Sequence, residues 1–170
     1  MNIQQLFALG MKREIPNLLD MPKGIVLNIG PGESHIPGTI PLDLPEWNVD
    51  DDDIPYGEAE VAGIHAYHFL EHCADPIDVL YEFQRVVRPG GLINIVVPYY
   101  SAMLQAQDLT HRHAFCEETW KTLFHNQYYK GRFDWELKVH ANFIMGIVER
   151  NLALFAQLVR TGEPRDSIRY

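Results

Sequence analysis

Two short apolar runs bracket the stretch that most limits what this chain can fold into. The first, Ile25-Val26-Leu27-Asn28-Ile29, leads directly into Gly30-Pro31-Gly32, and the second is Leu92-Ile93-Asn94-Ile95-Val96-Val97-Pro98. Near-continuous apolar runs of this length, bounded by glycine and proline, read as strands buried on both faces. A glycine turn at the end of one of them describes an open α/β sheet, which binds its ligands beyond the carboxyl ends of its strands.

The segments between and after these runs set the order of elements. Thr39-Ile40-Pro41-Leu42-Asp43 reads as a second strand, with Pro41 suited to an edge, and Val61–Phe69 as a third. Asp75-Pro76 opens a helix: Asp75 caps it, Pro76 needs no intrahelical donor, and Leu80, Phe83 and Val87 share one face. Pro89-Gly90-Gly91 stops that helix and turns into the strand at Leu92. Only Glu33–Gly38 separate the first two strands, too few for a normal crossover helix. The expected fold is therefore α/β, a compact, truncated doubly wound (Rossmann-like) and mostly parallel sheet, in a single domain spanning 1–170.

Residues 2–12 carry Ile3, Leu6, Phe7 and Met11 at helical spacing, and Pro16 and Pro22 bracket a short turn. Glu117 to Phe124 reads as a helix, and Phe133–His140 alternates like a half-buried strand. From Phe143 the apolar positions 143, 144, 147, 148, 152, 155 and 159 favour a helix, although Ile144, Ile147 and Val148 also suit a strand. The polar tail 161–170 is expected to fray.

A net charge of -9 argues against a nucleic-acid partner, which calls for a basic stripe. A small-molecule or protein substrate fits better. Cys73 and Cys116 form no CxxC pattern and read as reduced, structural thiols. The first residues lack a basic region followed by an apolar run, and no apolar stretch approaches the roughly 20 residues that span a bilayer. A cytoplasmic protein without a membrane partner is expected.

Three features point to a ligand. Gly30 and Gly32 would let the backbone approach a nucleoside closely, although a tight turn alone also accounts for them. Asp43 closes the second strand, where a carboxylate can take the two hydroxyls of a ribose; a strand-end turn former is the plainer reading. Among the four carboxylates Asp50–Asp53, at least one could accept from an adenine amino group, with Ile54 covering the ring.

With those residues in view, the chain resembles the class I S-adenosylmethionine-dependent methyltransferases, in particular short members of the methyltransferase type 11 kind. Val26–Gly32 resembles their first motif, Asp50–Tyr56 their acid-x-x-x-Leu-Pro-Phe segment, His68-Phe69-Leu70-Glu71-His72 their strand-four signature, and Glu82–Gly91 their Glu-x-x-Arg-Val-Leu-Lys-Pro-Gly-Gly helix end. The resemblance implies S-adenosylmethionine as cofactor. It places Asn28, Gly30 and Gly32 by the methionine part, Asp43 at the ribose, Asp50, Asp51 and Ile54 near adenine, and Tyr67 and His68 along the cofactor. Asn28 stands where the family usually has an acid, Pro31 where it has a small residue, and Ser34 where it has glycine.

The loop after the last parallel strand overhangs the methyl position in that fold. Tyr99, His111 and His113 are the catalytic candidates there, beside Tyr100 and Asp108, and one histidine could take a proton from an acceptor. No metal is expected: His65, His68 and His72 begin on a strand and would not converge, and His111-x-His113 reads as a loop pair. The expected function is methyl transfer to an unidentified small-molecule or protein-borne nucleophile. Two alternatives stand beside it. One is a non-catalytic methyltransferase-like binding or regulatory protein; the other is an interaction protein that forms a homodimer through a C-terminal helix around Phe143, Ile147 and Val148.

Overall fold

The computed structural model describes residues 19–125, 133–145 and 150–162. In chain order these form β1 (Val26–Ile29), β2 (Ile40–Leu42), β3 (Val61–Tyr67), α1 (Pro76–Val86), β4 (Val87–Pro98), α2 (Met103–Ala106), α3 (Glu117–His125), β5 (Trp135–Met145) and β6 (Arg150–Arg160). The six strands make one sheet in the order β2-β1-β3-β4-β6-β5. β1 to β4 run parallel, β6 runs antiparallel to β4, and β5 antiparallel to β6. This is the expected α/β class, a mostly parallel sheet with a shortened first half. The helix expected over 2–12 and the tail beyond 162 lie outside the described residues, as do Ile147 and Val148.

The helical reading of the chain after Phe143 is corrected. Arg150–Arg160 is strand β6, and Phe143 and Ile144 lie in strand β5. β6 lies between β4 and β5 and is covered on both faces: Ala153, Leu154, Phe155, Ala156 and Leu158 are buried, and so is Gln157. A nearly continuous apolar run contains the helical three-and-four spacing as a subset, so periodicity alone cannot separate the two. The dimer through a C-terminal helix loses its premise.

α1 begins as its cap dictates: the Asp75 carboxylate accepts from the backbone N–H groups of Ile77 and Asp78, with Pro76 in the first turn. Its Val79, Leu80, Phe83 and Val86 are buried against the sheet. Its polar side does something less local. Glu82 Oε1 accepts from the Ile54 N–H at 2.8 Å, and Arg85 donates to the carbonyls of Tyr56 at 2.8 Å and Ile54 at 2.9 Å. Glu82 and Arg85 also pair with each other, which holds the Glu82 carboxyl below its usual range. The Glu-x-x-Arg pattern thus pins the acidic loop to the helix. Arg85→Ala strands two loop carbonyls and the Glu82 carboxylate. It is expected to cost about 1–2 kcal/mol in urea unfolding and to raise hydrogen exchange at residues 54–56 selectively. Uniform protection in the variant would show that the loop holds itself.

The two faces of the sheet differ. On one, Leu27, Ile29, Ile64, Ile93, Ile95 and Leu154 pack with Phe83 of α1 and Trp120 of α3 in one core. The other face carries a polar row in register, Asn28 beside His65, His65 beside Asn94, and Asn94 beside Gln157, all buried. Alternation along each strand puts these four on the same side. His65, Asn94 and Gln157 are linked to one another, while the Asn28 amide reaches the Ser34 carbonyl. Gln157 exchanges 2.9 Å hydrogen bonds with both backbone groups of Leu19 and donates to Asn94 Oδ1, also at 2.9 Å. Asn94 Nδ2 and the Tyr67 hydroxyl then both face His65 Nδ1, at 3.4 and 2.8 Å. A Cβ on Gly63 would run into the sulfur of Met21, so the segment 19–23 lies close against this face.

Candidate functional site

The carboxyl ends of the parallel strands open into a cavity of about 790 Å³. That lies within the range of small-molecule pockets, in the place where an open α/β sheet offers one. β1 delivers Gly30 and Gly32, both with positive φ of 58° and 52°. The Gly30 N–H donates to the Leu42 carbonyl at 2.9 Å, which ties the turn to β2. A Cβ on Gly30 would strike the Phe69 ring, whereas one on Gly32 would meet nothing within 4 Å. Gly30 therefore serves close packing, and Gly32 borders open space.

Asp43, at the end of β2, reaches across to that turn. Its Oδ2 accepts from the Gly32 N–H at 2.6 Å and its Oδ1 from the Leu44 N–H at 2.9 Å. Each oxygen keeps a further lone pair, a spacing suited to two vicinal hydroxyls. Trp47 and Val49 add apolar wall, with the Trp47 indole held by the Asp53 carbonyl at 3.1 Å. Across the cavity stands the chain after β4. There Asp50 accepts from Arg112 at 3.2 Å and from the Ala74 N–H at 2.9 Å, joining two loops at the mouth. Arg112 and His113 hang by their backbone N–H groups from the Glu71 carbonyl, at 2.7 and 3.3 Å.

His68 follows β3 with φ 53°, a left-handed conformation rare for a side chain of its size. Such strain runs to about 1–3 kcal/mol and tends to occur at functional positions. The turn carries the His68 imidazole to the cavity, with Nδ1 3.2 Å from Glu71 Oε1. Cys73 also lines the cavity. Burial and the Asp50 and Glu71 carboxylates push its thiol up to about 12, so it is a structural thiol and not a nucleophile.

Of the residues singled out in the sequence, Gly30, Gly32, Asp43, Asp50 and His68 meet at this cavity. The others lie elsewhere. Asn28 is buried in the polar row of the opposite face, with its amide 3.4 Å from the Ser34 carbonyl. Asp51 accepts from the Asn48 side chain. Ile54 is core, drawn in by Glu82 and Arg85. Tyr67 points to His65 on the opposite face, where burial raises its phenol above the usual range. The Tyr99 hydroxyl donates to Glu117 at 3.1 Å, and His113 borders a second, smaller hollow with Phe115 and Leu80. His111 is nearly buried behind His72, their rings 4.7 Å apart. The sequence reading did not anticipate Trp47, Phe69, His72, Thr110 and Arg112 as cavity residues. The last two come from a loop more than thirty residues beyond the β3 turn.

Residues 42–95 match the model of a family described as a methyltransferase domain. No curated protein matches the chain. Solved structures share its fold at low identity. One is a chain from the complex of the Haloferax volcanii Trm112 methyltransferase activator with a methyltransferase, at 16% identity and a TM-score of 0.59, covering 82% of this chain and 85% of that one. An S-adenosylmethionine-dependent methyltransferase from Mesorhizobium loti aligns at 12% identity and a TM-score of 0.60, covering 84% and 94%. Another from Archaeoglobus fulgidus aligns at 18% identity and 0.55, covering 82% and 87%.

Proposed function

We infer that this chain is a class I S-adenosylmethionine-dependent methyltransferase, a reading supported by its fold and the match of residues 42–95, that it holds the adenosyl cofactor in its strand-end cavity and that it directs methyl transfer to a nucleophile. One observation carries the reading. Asp43 stands at the end of β2 with two oxygens locked against the glycine turn and two lone pairs left over. That arrangement is a receptor for a ribose diol.

The residues present fit the group. Open space beside Gly32 admits a ligand against the turn, Trp47 and Val49 offer apolar cover for a purine, and Asp43 and Asp50 give the cavity an acidic lining that suits a sulfonium cation. When bound, the cofactor supplies a methyl carbon already activated by positive sulfur. The protein then has to hold donor and acceptor in line and keep water out. Arg112, bridged to Asp50, and the exposed side chain of Leu109 border the side from which an acceptor would enter.

A second reading has its own support. Both glycine-turn donors are spent inside the protein, Gly30 on Leu42 and Gly32 on Asp43, and Pro31 has none. A turn with no free N–H grips a ligand carboxylate poorly, which favours a protein that keeps the nucleoside and does not turn over. Calorimetry with S-adenosylhomocysteine tests both. Saturable one-to-one binding is expected, and silence at about 1 mM ligand would remove both readings. Methyl-labelled S-adenosylmethionine, incubated with the protein and a small-molecule extract, separates them. Transfer of label supports the enzyme, and binding without transfer supports the receptor.

A further inference from the structure

Beside the cavity, the side chains of Glu71, His72 and His111 lie close to one another. We propose that Glu71, His72 and His111 form a binding site for one divalent transition-metal ion. One ligand atom from each lies within 4.8 Å of the other two.

The hydrogen bonds around the two imidazoles decide which nitrogen is free. The Thr110 hydroxyl donates to Asp108 Oδ1 at 2.7 Å, so it can only accept from His72 Nδ1, 2.9 Å away. His111 Nδ1 stands 3.0 Å from the Gln105 carbonyl, which also can only accept. As neutral rings, both carry their proton on Nδ1 and present the Nε2 lone pair. A second ring nitrogen anchored by a carbonyl, or by a hydroxyl backed by a carboxylate, is the usual support of a metal-bound histidine.

The third ligand is equally specific. Glu71 has no exposed surface, and its Oε2 is a buried carboxylate oxygen with no hydrogen-bond partner. An orphaned buried charge of that kind costs several kcal/mol unless something positive meets it. Asp108 Oδ2, 3.8 Å from the same His111 Nε2, adds negative charge beside that nitrogen. Two imidazole nitrogens and a carboxylate oxygen suit zinc or a neighbouring first-row metal. Bond lengths of about 2.0–2.2 Å ask the three side chains to close in modestly. Since His72 lines the cavity, the remaining coordination positions would open toward it. His113, two residues beyond His111, takes no part: its Nε2 is 3.3 Å from the Ala74 carbonyl.

The test uses the full chain, freed of metal by dialysis against a chelator and titrated with Co²⁺ as a visible probe and Zn²⁺ by calorimetry. One equivalent of each is expected to bind, with the absorption of low-symmetry Co²⁺ and a rise in the thermal midpoint. His72→Ala and His111→Ala should each weaken binding by roughly tenfold or more, Thr110→Val by a smaller factor through the lost support of His72, and His113→Ala not at all. No stoichiometric binding by the wild-type chain overturns the site, an outcome that does not depend on any variant folding. So does binding that survives both His72→Ala and His111→Ala. S-adenosylhomocysteine titrated into the same preparations reports the cofactor separately, so failure of one reading is distinct from failure of the other.

Discussion

Asp43→Ala is expected to weaken S-adenosylhomocysteine binding by more than about tenfold, or at least 1.4 kcal/mol, with little change in the thermal midpoint. The carboxylate has two tasks at once. Its hydrogen bonds to Gly32 and Leu44 hold the glycine turn and the end of β2 in one arrangement, and in the proposed function its leftover lone pairs would accept from the ribose. Removing it takes away charge-assisted bonds to the ligand and frees the turn that must lie against it. Global stability is spared because the core is formed by Leu27, Ile29 and their partners, and Asp43 is only half-buried at the sheet's edge. Asp43→Asn separates the tasks: an amide oxygen still accepts from one N–H, but the charge is gone. An intermediate loss for Asn is the expected order. An unchanged dissociation constant in both variants would move the ribose away from β2 and with it the whole reading of the cavity.

The parts of this fold that announce themselves in the sequence are those built by neighbours. β1 and its turn, α1 from its Asp75 cap, and the body of β4 are each written in contiguous residues, although β4 begins at Val87, before the Pro89-Gly90-Gly91 expected to precede it. Asp43 is legible for the same reason, since a carboxylate at a strand end needs no distant partner to be placed. Tyr67 lies where the strand was expected, but alternation decides its direction. It shares the side of His65 and so faces away from the cavity. Ile54 is taken from the ligand by Glu82 and Arg85, residues 28 and 31 positions further on. The approach of Thr110 and Arg112 to His72 and Asp50 has no local signature at all, because it hangs on backbone bonds to the Glu71 carbonyl. One clue was available: Asn28 and Asn94 interrupt otherwise apolar runs, and polar residues at such positions ask for one another across a sheet.

That polar row leads to the other large effect. The protein is expected to lose stability on the order of 3 kcal/mol as the pH falls from 6.5 to about 4, and His65 is the cause. Burial lowers the His65 pKa from 6.5 to about 4. The unfolded chain therefore takes up a proton below pH 6.5 that the folded chain refuses until about 4. Stability is complete above pH 6.5 and drains away through that window, the sign that follows when the unfolded state binds the extra proton. The local wiring explains why the ring resists. The ring is enclosed beside the Tyr67 hydroxyl and the Asn94 amide, 2.8 and 3.4 Å from its Nδ1, where water cannot solvate an added charge. Asn94 cannot turn to help, because Gln157 holds its carbonyl oxygen. The Tyr67 phenol stays neutral throughout, and the Arg85 guanidinium holds the Glu82 carboxyl below its usual range. His65→Gln supplies an acceptor that does not titrate. Urea unfolding at pH 7.5 and 5.0 should show a steep loss for the wild-type chain and a much shallower one for the variant. Equal slopes in the two proteins would place the acid sensitivity elsewhere.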